Sequence, residues 1–167
     1  MVIVVMGVAG SGKTTVGEKL ADALGAAFLD ADALHPAENI DKMARGIPLD
    51  DEDRAPWLER VHARVRAAFA EKTTIVVACS ALKQRYRDQI AGGIPITWVY
   101  LRGSRALVQD RLAHRQGHFM PATLLDSQFR DLEEPHDAID VDISLSPDAI
   151  VQRILAELPA RSPSPLT

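Results

Sequence analysis

The sequence predicts a three-layer α/β domain, with five parallel strands in one sheet and helices on both faces. Three observations carry that expectation. Short apolar runs stand at residues 2–6, 27–29, 75–79, 96–101 and 139–143, the length and continuity of strands buried on both faces. Between them, apolar residues recur at helical spacing. Strand and helix alternate along the chain, and parallel strands joined by right-handed helical crossovers cover both faces of a sheet.

Taken in order, residues 2–6 open the sheet and a Gly-rich turn leads to a helix marked by Val16, Leu20 and Leu24, which Gly25 closes. After the second run, Leu58, Val61, Val65 and Phe69 mark the helix before the third. A helix bearing Lys83 and Arg87 then leads to the fourth run. Ser104 caps the helix of Leu107, Val108 and Leu112, and Ser146 with Pro147 reads as N-cap and first-turn proline for the last helix, that of Ile150, Val151, Ile154 and Leu158. Two stretches exceed a minimal alternation: residues 31–56, rich in Asp and Pro, and residues 115–121. Ligands of α/β sheets sit beyond the carboxyl ends of strands, so these are the expected acceptor-binding insertion, about 31–57, and a mobile lid, about 115–122. One domain is expected over 1–159, followed by a flexible tail rich in Ser and Pro over 160–167.

Composition narrows the function. A chain of 167 residues folds as one domain burying ~70% of its unfolded surface. Lys and Arg number 19 against 23 Asp and Glu, for a net charge of −4, so no overall positive field favours nucleic acid. Cys79 is the only cysteine, which excludes an intrachain disulfide or a thiolate cluster and fits a reducing compartment. The apolar run at 2–6 lacks a preceding basic region and is too short for a signal peptide or a membrane span. The cytoplasm is the expected location, with no membrane partner.

The strongest motif is Gly7-Val8-Ala9-Gly10-Ser11-Gly12-Lys13-Thr14, a P-loop lying between a predicted strand and a predicted helix. In such a loop backbone amides face the β-phosphate of a nucleoside triphosphate, with Lys13 adding a point charge and Thr14 a hydroxyl for Mg²⁺. Gly7, Ala9, Gly10, Ser11, Gly12, Lys13, Thr14 and Thr15 are therefore the expected nucleotide-binding residues. No N-K-x-D motif reads guanine, and the small size favours a kinase for a small acceptor. Asp30 and Asp32, two apart at a strand end, project to the same side. Asp30 is assigned to Mg²⁺, and Asp32 to accepting the acceptor's proton or a hydrogen bond from it.

Further residues carry a resemblance. The runs from Phe28 through Asp30, Asp32, His35 and Pro36, then Asn39 to Met43, Gly46 to Leu49 and Asp51 to Leu58, closely resemble the gluconate kinase (gluconokinase) family, related to shikimate kinase and the nucleoside monophosphate kinases. Cys79-Ser80-Ala81-Leu82-Lys83, Tyr86-Arg87-Asp88 and Gly117-His118-Phe119 extend the match from Met6 to about Leu132, roughly three quarters of the chain. The resemblance implies a nucleoside-monophosphate-kinase-like fold, ATP-dependent phosphorylation of D-gluconate at the 6-hydroxyl, and a homodimer.

Read without the family, the same residues describe a polyhydroxy acid site. Lys83 and Arg87 lie four apart on one helix face, where a carboxylate could bridge them, although such a pair can equally be a solvated surface. Arg54 and His35 add donors, and Asp32 accepts from hydroxyls. Trp57 reads as core. In the lid region Arg111 and Arg115, again four apart, are expected to surround the moving phosphoryl group, with His118 and Gln128 toward the acceptor. The expected catalytic residues are Lys13, Asp32 and Arg115. The adenine pocket is expected near residues 144–147. Two rivals remain at this point: a kinase for another small hydroxy acid such as shikimate, and a non-catalytic ATP-binding module.

Overall fold

The computed structural model describes residues 1–115 and 121–161. Strands β1 (Val2–Met6), β2 (Ala27–Asp30), β3 (Ile75–Ala78), β4 (Ile96–Arg102) and β5 (Ile139–Asp142) form one sheet in the order β2-β3-β1-β4-β5. Every neighbouring pair is parallel. Central β1 is buried at all its positions, which is why its residues are all apolar. Edge strand β5 alternates, with Ile139 and Val141 buried and Asp140 and Asp142 exposed.

The helices are α1 (Lys13–Leu24), α2 (Ala37–Ala44), α3 (Asp51–Ala70), α4 (Gln84–Ala91), α5 (Arg105–Ala113), α6 (Ala122–Asp131) and α7 (Pro147–Arg161). Alternate β1 side chains serve two cores, as the pleat requires. Ile3 and Val5 pack with Leu20, Val108 and Ile154 on one face. On the other, Val2, Val4 and Met6 pack with Trp57, Val61 and Ile90. The three layers match the sequence expectation, and the local stops hold too: Gly25 closes α1 at φ 60°, Ser104 Oγ accepts from the Leu107 amide at 3.2 Å, and Ser146 Oγ from the Ala149 amide at 3.2 Å.

The insertion is more regular than its Asp and Pro content implies. It folds as a short 3-10 helix (Ala31–Leu34), α2 and the opening of α3. The Asp50 carboxylate accepts from the Asp53 amide while that of Asp53 accepts from the Asp50 amide, a reciprocal capping box. This pair starts α3 well before Pro56, which sits inside the helix and leaves without an N–H donor only the carbonyl of exposed Glu52. Phe69, placed inward by its spacing, is 48% exposed. Residues 116–120, with His118 and most of the expected lid, and residues 162–167 of the expected tail lie outside the described residues.

The strand order diverges from β1 towards β3 on one side and β4 on the other. The carboxyl end of β1 is therefore the switch point where a ligand crevice opens in such sheets.

Candidate active site

At that switch point β1 runs into the P-loop, and α1 begins directly after it. Gly12, the N-cap residue of α1, holds φ 94°, a left-handed conformation that glycine adopts at no steric cost. A Cβ on Gly7 would stand 2.7 Å from Ser11 Oγ and 3.0 Å from the Leu101 carbonyl oxygen, so the loop closes tightly over β4. The first-turn amides of α1 have no helical acceptor and point toward the loop's mouth. Lys13 Nζ folds back to donate to the Val8 carbonyl at 2.9 Å. Burial pushes the Lys13 ammonium down from its ordinary pKa, against the pull of Asp32.

A cavity of about 840 Å³ runs from this loop to the insertion, room for a nucleotide and a small second substrate. At one end Leu145, Pro147 and Ile150 join the P-loop in its wall, where the sequence expects adenine. Arg111 and Arg115 also line it. Arg111 is held by a hydrogen bond to the Ile143 carbonyl, while exposed Arg115 acts on Lys13 through its charge. Gln128 reaches back from α6, and its Oε1 accepts from the Ala9 amide at 2.7 Å.

The acidic pair sits in the same wall. Thr14 Oγ1 donates to Asp30 Oδ2 at 3.0 Å, and Asp30 Oδ1 accepts from the Asp32 amide at 3.0 Å. Asp32 is open to the cleft yet surrounded by protein. That surrounding raises its carboxyl pKa, opposed by Lys13 and reinforced by Asp30.

The far end is made of side chains. His35 is 9% exposed and stacks on Trp57, the ring centroids 4.4 Å apart and the planes 12° from parallel. Trp57 Nε1 is in turn anchored to the Ala31 carbonyl at 2.8 Å, so Trp57 is core, as expected, and a platform as well. Burial, aided by the Arg54 charge, lowers the His35 pKa to about 4. Arg54 Nη1 donates to the Tyr86 hydroxyl at 3.1 Å, and its Nη2 lies 3.6 Å from Asp131.

The structure corrects the pairing of Lys83 with Arg87. Lys83 is the extended N-cap residue of α4 and does not share a helix face with Arg87. Arg87 is buried, and its guanidinium donates to the carbonyls of Ala81, Leu82 and Glu133 and to Gln84 Oε1. With four of its five N–H donors engaged in this way, it clamps the chain after α6 onto the start of α4. Lys83 does not line the cavity and stands 3.7 Å from Asp51 and 4.0 Å from Asp131, near Arg54 around the Tyr86 ring. Tyr86, Asp51 and Asp131, which complete this network, escape sequence reasoning because α3, α4 and α6 each supply one. Asn39 escapes it too, although its place four residues after His35 offers a signal.

A P-loop whose wall continues through Arg111 and Arg115, facing a second compartment lined by Asp32, His35 and Arg54, defines a kinase for a small acceptor. A family model described as an AAA domain matches residues 2–139. The thermosensitive gluconokinase of Escherichia coli is 47% identical, covering 84% of this chain and 78% of its own. The gluconokinase of Gluconobacter oxydans is 45% identical over 95% of this chain and 91% of its own. A crystal structure of a gluconokinase from Sinorhizobium meliloti superposes with a TM-score of 0.87 at 46% identity, covering 95% of this chain and 91% of that one. The chain belongs to the gluconokinase family.

Proposed function

We propose that this protein transfers the γ-phosphoryl group of ATP to the 6-hydroxyl of D-gluconate, giving 6-phospho-D-gluconate and ADP. The observation that carries the reading is the continuous cavity joining the P-loop to Asp32, His35 and Arg54. An anionic polyol needs a fixed cation, a neutral donor and an acceptor, and these three supply them.

The loop amides and Lys13 hold the β- and γ-phosphates, and Arg111 and Arg115 bring positive charge to the other side. Arg54 and His35 orient gluconate so that its 6-hydroxyl faces the γ-phosphorus. The hydroxyl oxygen forms the new P–O bond while the bond from the γ-phosphorus to the β–γ bridging oxygen breaks, and ADP departs with that electron pair. Asp32 accepts the hydroxyl proton, a role that its raised pKa favours. Thr14 and Asp30, a hydroxyl and a carboxylate in contact beside the loop, fit Mg²⁺, which binds hard oxygens. When bound, that ion neutralises charge on the β- and γ-phosphate oxygens.

Product analysis tests the reading. Gluconate and ATP are expected to yield stoichiometric ADP and a sugar acid whose phosphorus couples to the C6 protons in NMR. Phosphate at another carbon, or ADP release independent of gluconate, contradicts it. The reading extends to a homodimer in the cytoplasm, checked by light scattering at twice the chain mass and by cell fractionation. Among the described residues no helix is long and apolar enough to cross a membrane.

A further inference from the structure

His35 carries two ring nitrogens, and what each does depends on where the proton sits. The surrounding bonds decide it. The Asp53 carbonyl can only accept, so the Asn39 atom 2.8 Å from it is the amide nitrogen, donating. That same Asn39 Nδ2 lies 3.2 Å from His35 Nδ1. An amide nitrogen has two hydrogens and nothing with which to accept. One hydrogen goes to the carbonyl, and the other meets Nδ1, which must present a lone pair. The proton of the neutral ring is thereby left on Nε2. Protonating Nδ1 would set two donors against each other, in accord with a ring held neutral down to about pH 4.

The arrangement is rigid at each link. Asn39 is 3% exposed. Asp53, whose carbonyl sets the direction of the chain of bonds, is fixed by the capping box with Asp50 and by Lys42 at 2.8 Å. Trp57 holds the ring plane. His35 Nε2 has no protein partner among the described residues and is not among their sealed, unsatisfied atoms. The ring lines the cavity beside Arg54 and Asp32.

We infer that Asn39 is a positioning residue of the acceptor site, fixing His35 as the Nε2–H tautomer so that it donates one hydrogen bond to an oxygen of the bound acid. The inference rests on the gluconate reading only for the identity of that acid. Arg54 and His35 then both donate, and Asp32 is the accepting member. A ligand must therefore offer oxygen lone pairs at the His35 position, as a hydroxyl or carboxylate does and an ammonium group does not.

The test begins with the wild-type protein, labelled with ¹⁵N-histidine, at neutral pH and without substrate. The His35 signals, identified by their loss in His35→Gln, are expected to show a pyridine-like Nδ1 and a pyrrole-like Nε2. A pyrrole-like Nδ1 overturns the inference whatever any variant does. Asn39→Asp replaces the donor at Nδ1 with an acceptor, at the cost of a second acceptor against the Asp53 carbonyl, and with the ring kept neutral at high pH it is expected to move the proton to Nδ1. The apparent KM for the acceptor should rise ~10-fold, the worth of one directed hydrogen bond, with the KM for ATP nearly unchanged. Asn39→Leu, which imposes no polarity, should leave a mixture of tautomers and an intermediate KM. A tautomer switch without a change in acceptor KM, or equal losses for both substrates, also overturns it. The spectra need no substrate and the KM values are taken on whichever acceptor the wild type phosphorylates, so a failure of the gluconate reading is seen separately.

Discussion

The two ends of the cavity are built from different materials. Around the end of β1 the wall is mostly backbone: a tight loop, the first turn of α1 and a lysine folded onto its own loop through the Val8 carbonyl. At the acceptor end it is side chains from distant segments, with His35 on Trp57, Arg54 on Tyr86 and Asp131, and Asn39 on Asp53. Backbone donors come with the fold and serve any phosphate, whereas side-chain donors must be aimed by neighbours. On the proposed reading, the acceptor end is therefore where specificity resides and where substitutions have the most varied consequences.

The sharpest break between the ends is at Asp32, where they meet. Asp32→Asn should lower kcat by ~10²- to 10⁴-fold, the usual contribution of a general base, with ATP affinity by titration calorimetry retained. Loss of ATP binding would make Asp32 part of the nucleotide floor. Arg87→Ala tests the claim that a cation near the acceptor end is architectural. Leaving three carbonyls and Gln84 Oε1 without their donor should cost about 3 kcal/mol or more, seen as a fall in Tm of roughly 6–12 °C. At a temperature where the variant is folded, its gluconate KM should be close to that of wild type.

His35 gives the acceptor end a pH signature. Its pKa is about 4 in the folded protein against an ordinary value of 6.5, so between these limits the unfolded chain takes up a proton that the native state refuses. Stability is unaffected by this group above pH 6.5 and falls as pH drops through the window, by roughly 3 kcal/mol in all. In urea melts from pH 7 to pH 4, His35→Gln should lose stability less steeply than wild type, and parallel curves would contradict the shift. The smallest effects separate Arg54, which lines the cavity, from Lys83, which does not. Arg54→Ala should raise the gluconate KM ~10- to 100-fold, and Lys83→Ala only about threefold through the network around Tyr86, with the ATP KM little changed in both. The reverse order would place Lys83 on the substrate.

This contrast also explains what could be read in advance. The strands, the P-loop and the caps at Ser104 and Ser146 are local patterns, set by residues within a few positions of one another. The acidic pair does not follow the strand alternation expected of it: β2 ends at Asp30, whose carboxylate caps the 3-10 helix that contains Asp32. Spacing failed for Lys83 and Arg87 because α4 starts after Lys83 and because the carbonyls that claim Arg87 include one from the far side of α6. Pro56 hid the true start of α3, which the Asp50–Asp53 box sets earlier. Nothing local announces that Asp131 meets Arg54 across the whole of β3, α4, β4 and α5.

The most direct measurement of the proposed activity is the initial rate of ADP release with Mg·ATP, comparing D-gluconate with its epimers, shikimate and a blank without acceptor. A kcat/KM for gluconate well above every alternative is expected, with a negligible blank. Equal or better turnover of another acid, or no turnover of any despite measurable ATP binding, would contradict it.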